Sequence, residues 1–274
     1  MSLNMQIFSH FPPWSLYALA GILGAILGSF ANVCIWRMPR GESVVWPPSH
    51  CPGCGRRLSW WENVPILSFV ILRARCRTCK SRISVRYPIV ELAMTGLALL
   101  TWWYFGEPLR FLVYLCLFIL PMVIVTGIDL YHRIIPDSIS LPGIGVGLIV
   151  HLLLDGGGDR FLWVAIDSVA GVLVGGGALY LVAFAYEKVR KQMGMGGGDI
   201  KLIAMMGAFF GWKAALLILL MASFLGSIVG LLVIMILRKD LKYGIAFGPF
   251  LAAAGVINLF AGARIISWYT GLFY

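Results

Sequence analysis

Residues 214–237 read AALLILLMASFLGSIVGLLVIMIL, an apolar run with no ionisable side chain. About 20 such residues, rising ~1.5 Å each, cross the ~30 Å hydrocarbon core of a bilayer as an α-helix. The run lacks the polar/apolar alternation of a membrane barrel strand, and a helix satisfies its own backbone in lipid. Seven further apolar segments lie outward from it, at 14–35, 89–105, 109–128, 139–154, 162–186, 200–211 and 245–261. The composition agrees: 60% of residues are hydrophobic and 12% charged, against about 25% charged in soluble domains. Mean hydropathy is +0.88. The expected fold is an all-α polytopic membrane protein with about eight transmembrane helices. Segment 200–211 is short, since it would rise only ~18 Å. A thinned bilayer or a Gly-rich entry dipping inward would let it cross. No Lys or Arg precedes the first apolar run, so no cleaved secretory signal is expected.

The formal charge of +10 would suit a nucleic-acid binder, but its distribution points to a membrane instead, and no nucleic-acid partner is expected. The loop after the first helix carries Arg37, Arg40, Arg56, Arg57, Arg73, Arg75, Arg77, Lys80, Arg82 and Arg86. Placing it in the cytoplasm and alternating sides puts Arg133, then Lys188, Arg190, Lys191 and Lys201, then Arg238, Lys239 and Lys242 inside as well. The outer face receives Arg110, Arg160, Lys213 and Arg264. This is the asymmetry of the positive-inside rule, and it leaves both termini outside. The Gly-x-x-x-Gly spacings at Gly24/Gly28, Gly143/Gly147 and Gly171/Gly175 predict closely packed helix pairs. The run Gly175-Gly176-Gly177 reads as packing or bending.

The long inner loop contains Cys51-Pro-Gly-Cys54 and Cys76-Arg-Thr-Cys79. Two Cys-x-x-Cys knuckles converge well as four thiolates around Zn²⁺, a closed structural set with no open catalytic position. A polar loop too small for its own core would draw its fold from that metal. Two disulfides are the alternative, disfavoured by a cytosolic setting. His50 is a less favoured substitute ligand, and Cys34 and Cys116 read as small core residues. The expected organisation is a first transmembrane helix at 1–36, a small zinc-binding cytoplasmic loop domain at 37–87 between helices 1 and 2, and a transmembrane domain at 88–274.

Few carboxylates lie near membrane depth. Asp129 ends the third apolar segment, and Asp199 opens the sixth in Gly194-Met195-Gly196-Gly197-Gly198-Asp199-Ile200-Lys201. The charge topology puts both at the cytoplasmic face. Two carboxyl groups sharing a proton can hydrolyse an amide: the ionised one takes a proton from water, and the protonated one donates to the scissile carbonyl oxygen. Glycines before Asp199 would let backbone approach a peptide substrate. A single helix-end Asp more often caps a helix or meets water, and an ion- or proton-coupled transporter would use similar acids. Asp137 is an alternative partner for Asp199, or an N-cap of the fourth helix. Asp167 falls toward the outer side. Lys201 could pair with Asp199 or bind lipid phosphate. No Gly-Lys-Ser/Thr follows the glycines, so this is no phosphate-binding loop.

Several stretches together resemble the type IV prepilin peptidase/N-methyltransferase family: Gly28-Ser29-Phe30-Ala31-Asn32-Val33, the two Cys-x-x-Cys pairs, Glu62-Asn63-Val64-Pro65-Ile66-Leu67-Ser68, Arg86-Tyr87-Pro88-Ile89-Val90-Glu91, Asp129 with Ile135-Pro136-Asp137, and Gly196-x-Gly198-Asp199-x-Lys201-Leu202. The resemblance covers nearly the whole chain, in the family's order. It implies a GxGD-type aspartyl protease of the bacterial cytoplasmic membrane, its active site facing the cytoplasm. Such an enzyme removes the basic leader of prepilins or type II secretion pseudopilins, after a Gly and usually before a Phe. N-methylation of the new terminus by S-adenosylmethionine follows. The resemblance makes Asp129 and Asp199 the catalytic pair, Gly196, Gly198 and Lys201 their supporting loop, and the four cysteines a metal-binding loop. It makes 37–87 the methyltransferase part and 88–274 the peptidase. No Rossmann-type glycine signature marks a place for S-adenosylmethionine, whose ligands stay unassigned. Many members carry Gly where this chain has Ala74, so a left-handed turn there would cost more. Competing readings are a peptidase without methylation, a cation-coupled transporter, and a zinc-stabilised assembly factor. Glu42, Glu62 and Glu91 are candidates to receive the basic leader, or partners of loop arginines.

Overall fold

A computed structural model describes residues 12–190, 196–237 and 246–272. Lys191, Gly194, Met195, Arg238, Lys239 and Lys242, used above, lie outside the described residues. Among those residues, seven helices are long and apolar enough to cross a bilayer: α1 (Pro13–Arg37), α2 (Arg86–Phe105), α3 (Pro108–His132), α4 (Asp137–Asp155), α5 (Phe161–Arg190), α6 (Gly197–Leu237) and α7 (Gly248–Gly271). The chain is an all-helical multi-pass membrane protein, organised as two compact units that meet in sequence between Ile124 and Val125.

The expected sixth and seventh segments are two helical arms, taken together here as α6, that meet at non-helical backbone at Gly211 (φ 80°, ψ 176°). In a straight helix Ile203 and Ala215 would stand ~18 Å apart along the axis. Here the Ile203 carbonyl oxygen and the Ala215 Cβ lie 3.0 and 3.2 Å from the same point, the place of a Cβ on Gly175. The helix therefore folds back at Gly211, and both of its arms lie along α5. That break explains the short segment: 200–211 ends where only glycine takes the backbone angle cheaply. The carboxylate of Asp167 fills the space a side chain at Gly211 would need, which gives this acid a local structural place.

In the first unit α1 and α2 cross at their small residues. A Cβ on Gly24 would stand 2.6 Å from that of Ala98, and one on Gly28 would stand 2.7 Å from the Glu91 Cα. In the second unit Gly143 meets Met205, Gly147 meets the Phe209 ring, and Gly171 lies directly on the Gly207 backbone. All three expected glycine pairs are thus close-packing sites. Gly176 packs near Ala204, while Gly177 faces open space. The first arm of α6 is apolar all round, as a central helix must be, and the side chains from Leu202 to Met206, Ala208 and Phe209 are buried. Outward residues such as Leu153, Leu173, Leu181 and Phe224 are exposed, a surface suited to lipid.

Candidate active site and metal loop

Asp129 sits in the last turn of α3, 5% exposed. Its Oδ2 accepts the N–H of Gly248, the first residue of α7, at 3.0 Å. This satisfies one of the amides that a helix start leaves bare. Asp199 lies in the first turn of α6, half-buried, its N–H donating to the Gly196 carbonyl at 3.1 Å. Its Oδ1 is buried without a hydrogen-bond partner. Ile135 joins the two acids: its side chain lies 2.8 Å from the Cβ position of Gly198 and 3.2 Å from that of Gly248. The strands of backbone that carry Asp129's partner and Asp199 are thus one side chain apart. One fixed carboxylate beside a second with an unused oxygen is an arrangement able to hold and polarise a water.

The supporting residues divide. Gly196 runs beside the Asp199 carboxylate, its Cβ position 3.5 Å from Oδ2. Gly198 is packed against Ile135 rather than left open, and Gly197 has open space beside it. Lys201 pairs with Asp137, Nζ lying 2.7 Å from each carboxylate oxygen. Of the two partners offered for Lys201, Asp199 and a lipid phosphate, the first is not taken up: Asp137 presents both oxygens from the start of α4 instead. Asp137 is the first residue of that helix, and Pro136 holds the capping position. Gly248 was not singled out from the sequence, and Ile135 was quoted only as part of Ile135-Pro136-Asp137, with no role of its own. No local pattern tells which helix starts these two residues join, since each acts across a long sequence separation.

The metal loop belongs to the first unit. The Sγ atoms of Cys51, Cys54, Cys76 and Cys79 all lie within 4.8 Å of one another, and those of Cys51 and Cys79 are 3.7 Å apart. Tetrahedral Zn–S bonds of ~2.3 Å place sulfurs about 3.8 Å apart, so the four thiols fit Zn²⁺. His50 stays outside this cluster. The two knuckles repeat one design. Cys51 N–H bonds to the Arg56 carbonyl and Gly55 N–H to the Cys51 carbonyl, both at 2.9 Å. Cys76 N–H bonds to Ser81 at 2.8 Å, and Lys80 N–H to Cys76 at 3.1 Å. The fourth residue after each leading cysteine has positive φ, Gly55 at 69° and Lys80 at 58°. Ala74 is also left-handed, at 57°, so this turn carries the strain that the sequence comparison with Gly anticipated.

Glu62 is committed to structure. Arg56 grips both of its oxygens at 2.7 and 2.9 Å, and the Ser59 N–H adds a third bond at 2.8 Å. The Arg56 guanidinium holds this carboxyl down at about 2. Glu91 is buried and accepts the Ile66 N–H at 2.7 Å, at a residue with φ 63°. Glu42 is exposed.

Residues 22–105 match the Bacterial Peptidase A24 N-terminal domain, and residues 116–231 match the Type IV leader peptidase family. Curated relatives named prepilin leader peptidase/N-methyltransferase align along most of the chain. The Pseudomonas putida protein is 35% identical, with 96% of each chain covered. That of Legionella pneumophila is 35% identical over 94% of this chain and 96% of its own. That of Myxococcus xanthus is 41% identical over 78% of this chain and 62% of its own. No solved structure matches.

Proposed function

Since this chain belongs to the type IV leader peptidase family and shares its N-terminal domain, we propose the following division of labour for its prepilin peptidase and N-methyltransferase activities. Asp129 and Asp199 hydrolyse the leader peptide bond. Asp129, oriented by the Gly248 N–H, and Asp199, with one oxygen unengaged, share a proton as paired carboxyls do. The ionised member takes a proton from the attacking water. The protonated member donates to the carbonyl oxygen, and the tetrahedral centre collapses to release the leader. Gly196 and Gly198 shape the approach, and the Lys201–Asp137 pair fastens the start of α6 to the start of α4.

The same reading places the chain in the bacterial cytoplasmic membrane with this site on the cytoplasmic side, as the basic connections favour. Its substrates are prepilins or pseudopilins, its surroundings the lipid bilayer. The eight-segment topology stands if both arms of α6 traverse the apolar layer. The four thiolates hold a structural Zn²⁺, and methyl transfer draws on S-adenosylmethionine. The observation that carries the peptidase reading is the convergence on Ile135, within one unit, of Gly248, which bonds Asp129, and Gly198, which precedes Asp199.

The test is cleavage of a prepilin in detergent by the wild type and by folded Asp129→Asn and Asp199→Asn. Loss of cleavage in both, by at least about 10³-fold, is expected for a pair that acts as a unit. Retained cleavage in either removes that residue from the pair.

A further inference from the structure

Residues 64–72 read VPILSFVIL, a run without an ionisable side chain inside a loop rich in arginine. As a helix they would rise only ~13.5 Å, too short to cross a bilayer and suited to an interface or a re-entrant turn. Neither the four cysteines nor the two aspartates involve them. The structure folds them around a short helix, Leu67–Ile71.

The two sides of this segment differ. Ser68, Phe69 and Leu72 turn inward and line a cavity with Asn32 of α1 and Glu91 of α2. Leu67, Val70 and Ile71 turn outward and are 59%, 65% and 66% exposed. Spacings of three and four residues put these three on one helix face. Such a face is unfavourable in water and favourable in lipid.

The depth of the segment agrees. The Ile66 N–H donates to Glu91 Oε2 at 2.7 Å. Glu91 stands inside the start of α2 at Arg86, by about 7.5 Å along the axis. Asn63 and Pro65 border one opening with Ile26, Phe30 and Val33 of α1, all within the helix that ends at Arg37. The segment therefore lies beside the apolar parts of both helices. Its outward face continues the exposed surface formed by Ile26 and Phe30 on α1 and by Ile89 and Leu92 on α2. Backbone in lipid must be satisfied within the protein. Pro65 has no N–H to satisfy, and Ile66 uses Glu91. Ser68, Val70 and Leu72 donate to the carbonyls of Val64, Ile66 and Ser68 at 3.0, 3.3 and 2.9 Å. Exposed Trp60 precedes the segment, and exposed Arg73 and Arg75 follow it. These are residue types of the headgroup level.

We propose that residues 64–72 re-enter the bilayer from the side where α1 ends and α2 begins. Leu67, Val70 and Ile71 sit among the acyl chains of that leaflet, and Arg73 and Arg75 meet lipid phosphate. The cysteine loop is thereby docked on the membrane rather than free in water. The proposal needs only that α1 and α2 cross the bilayer, and it is independent of the paired aspartates.

The experiment places photoreactive p-benzoylphenylalanine in the full-length chain, one site at a time. The sites are Val70, Thr78 in the second cysteine knuckle, and Leu173 on α5. Each variant is reconstituted in nanodiscs of phosphatidylethanolamine and phosphatidylglycerol and irradiated, and its adducts are read by mass spectrometry. Lipid adducts are expected at 70 and 173, at least about tenfold above those at 78, because the probe reads depth in the leaflet. Wild type in lipids that carry a diazirine midway along the acyl chain tests the undisturbed fold. Its label is expected within 64–72 and not in the cysteine knuckles. Lipid adducts at 173 with none at 70, or equal labelling at 70 and 78, overturn the proposal. So does a protein adduct at 70 in place of lipid, which a second copy or a peptide partner would give. Wild-type label confined to the long helices overturns it as well.

Discussion

Gly248 shows how much one missing methyl group can carry. A Cβ there would stand 2.6 Å from Asp129 Oδ2, so any side chain must displace the carboxylate that the backbone N–H now orients. Gly248→Ala is therefore expected to lower the cleavage rate about 10²-fold, the usual penalty for a shift of ~1 Å at a reacting group, with little change in thermal stability. Steady-state cleavage and a melting curve on one preparation check it. Glu62 gives a pH-dependent case. Its folded value, about 2, lies below the ordinary 4.5. The bridge to Arg56 thus contributes fully above pH ~4.5 and fades as pH falls toward 2. The difference in melting temperature between wild type and Glu62→Gln should stay constant from pH 8 to 5 and shrink below that. Sequence reasoning named Asp129 and Asp199 as candidates, and foresaw the clustering of the four cysteines, because each sits in a dense local pattern. It missed Gly248, and for Lys201 it offered Asp199 or a lipid phosphate where the partner is Asp137. Both contacts join residues far apart in the chain, and spacing carries no record of which helix ends meet.

At the scale of elements, the helices were visible in hydropathy, whereas the fold-back in α6 was not. A short apolar segment followed by a long one reads as two crossings, and only the left-handed Gly211 shows how they join. Gly211→Ala must adopt a conformation costing ~1–2 kcal/mol and also displace Asp167, so a loss of about 2–4 kcal/mol is expected in a reversible unfolding measurement. The two cysteine knuckles allow the opposite change. Lys80 and Ala74 hold left-handed backbone that Gly55 holds at no steric cost. Lys80→Gly and Ala74→Gly should each stabilise the loop by about 0.5–1 kcal/mol. Slower release of Zn²⁺ to a chromogenic chelator would report this, and faster release would show that the side chains matter more than the backbone.

For the whole molecule, the division into two units separates the cysteine loop from the two aspartates proposed to cleave the leader: the first lies in one unit, Asp129 and Asp199 in the other. Removing the metal is expected to act on the first. Prolonged chelation should unfold the loop, which has almost no apolar core of its own. Fluorescence of Trp61, the partly buried tryptophan of the loop, should then shift to longer wavelength. An unchanged emission spectrum after complete metal removal would mean that hydrogen bonds alone hold the loop.

The crossing of Gly171 on Gly207 sets a limit on how the peptidase site can open. Two backbones touch there with no side chain between them. Translation of α6 along α5 by one turn would drive Ile203 into the contact. Rotation about the crossing point leaves it intact. If Asp199 acts as proposed, a substrate chain is expected to be admitted beside it by a hinge rather than by shear. The pivot lies two turns from the carboxylate, so a few degrees there become only a fraction of an ångström at the reacting oxygens.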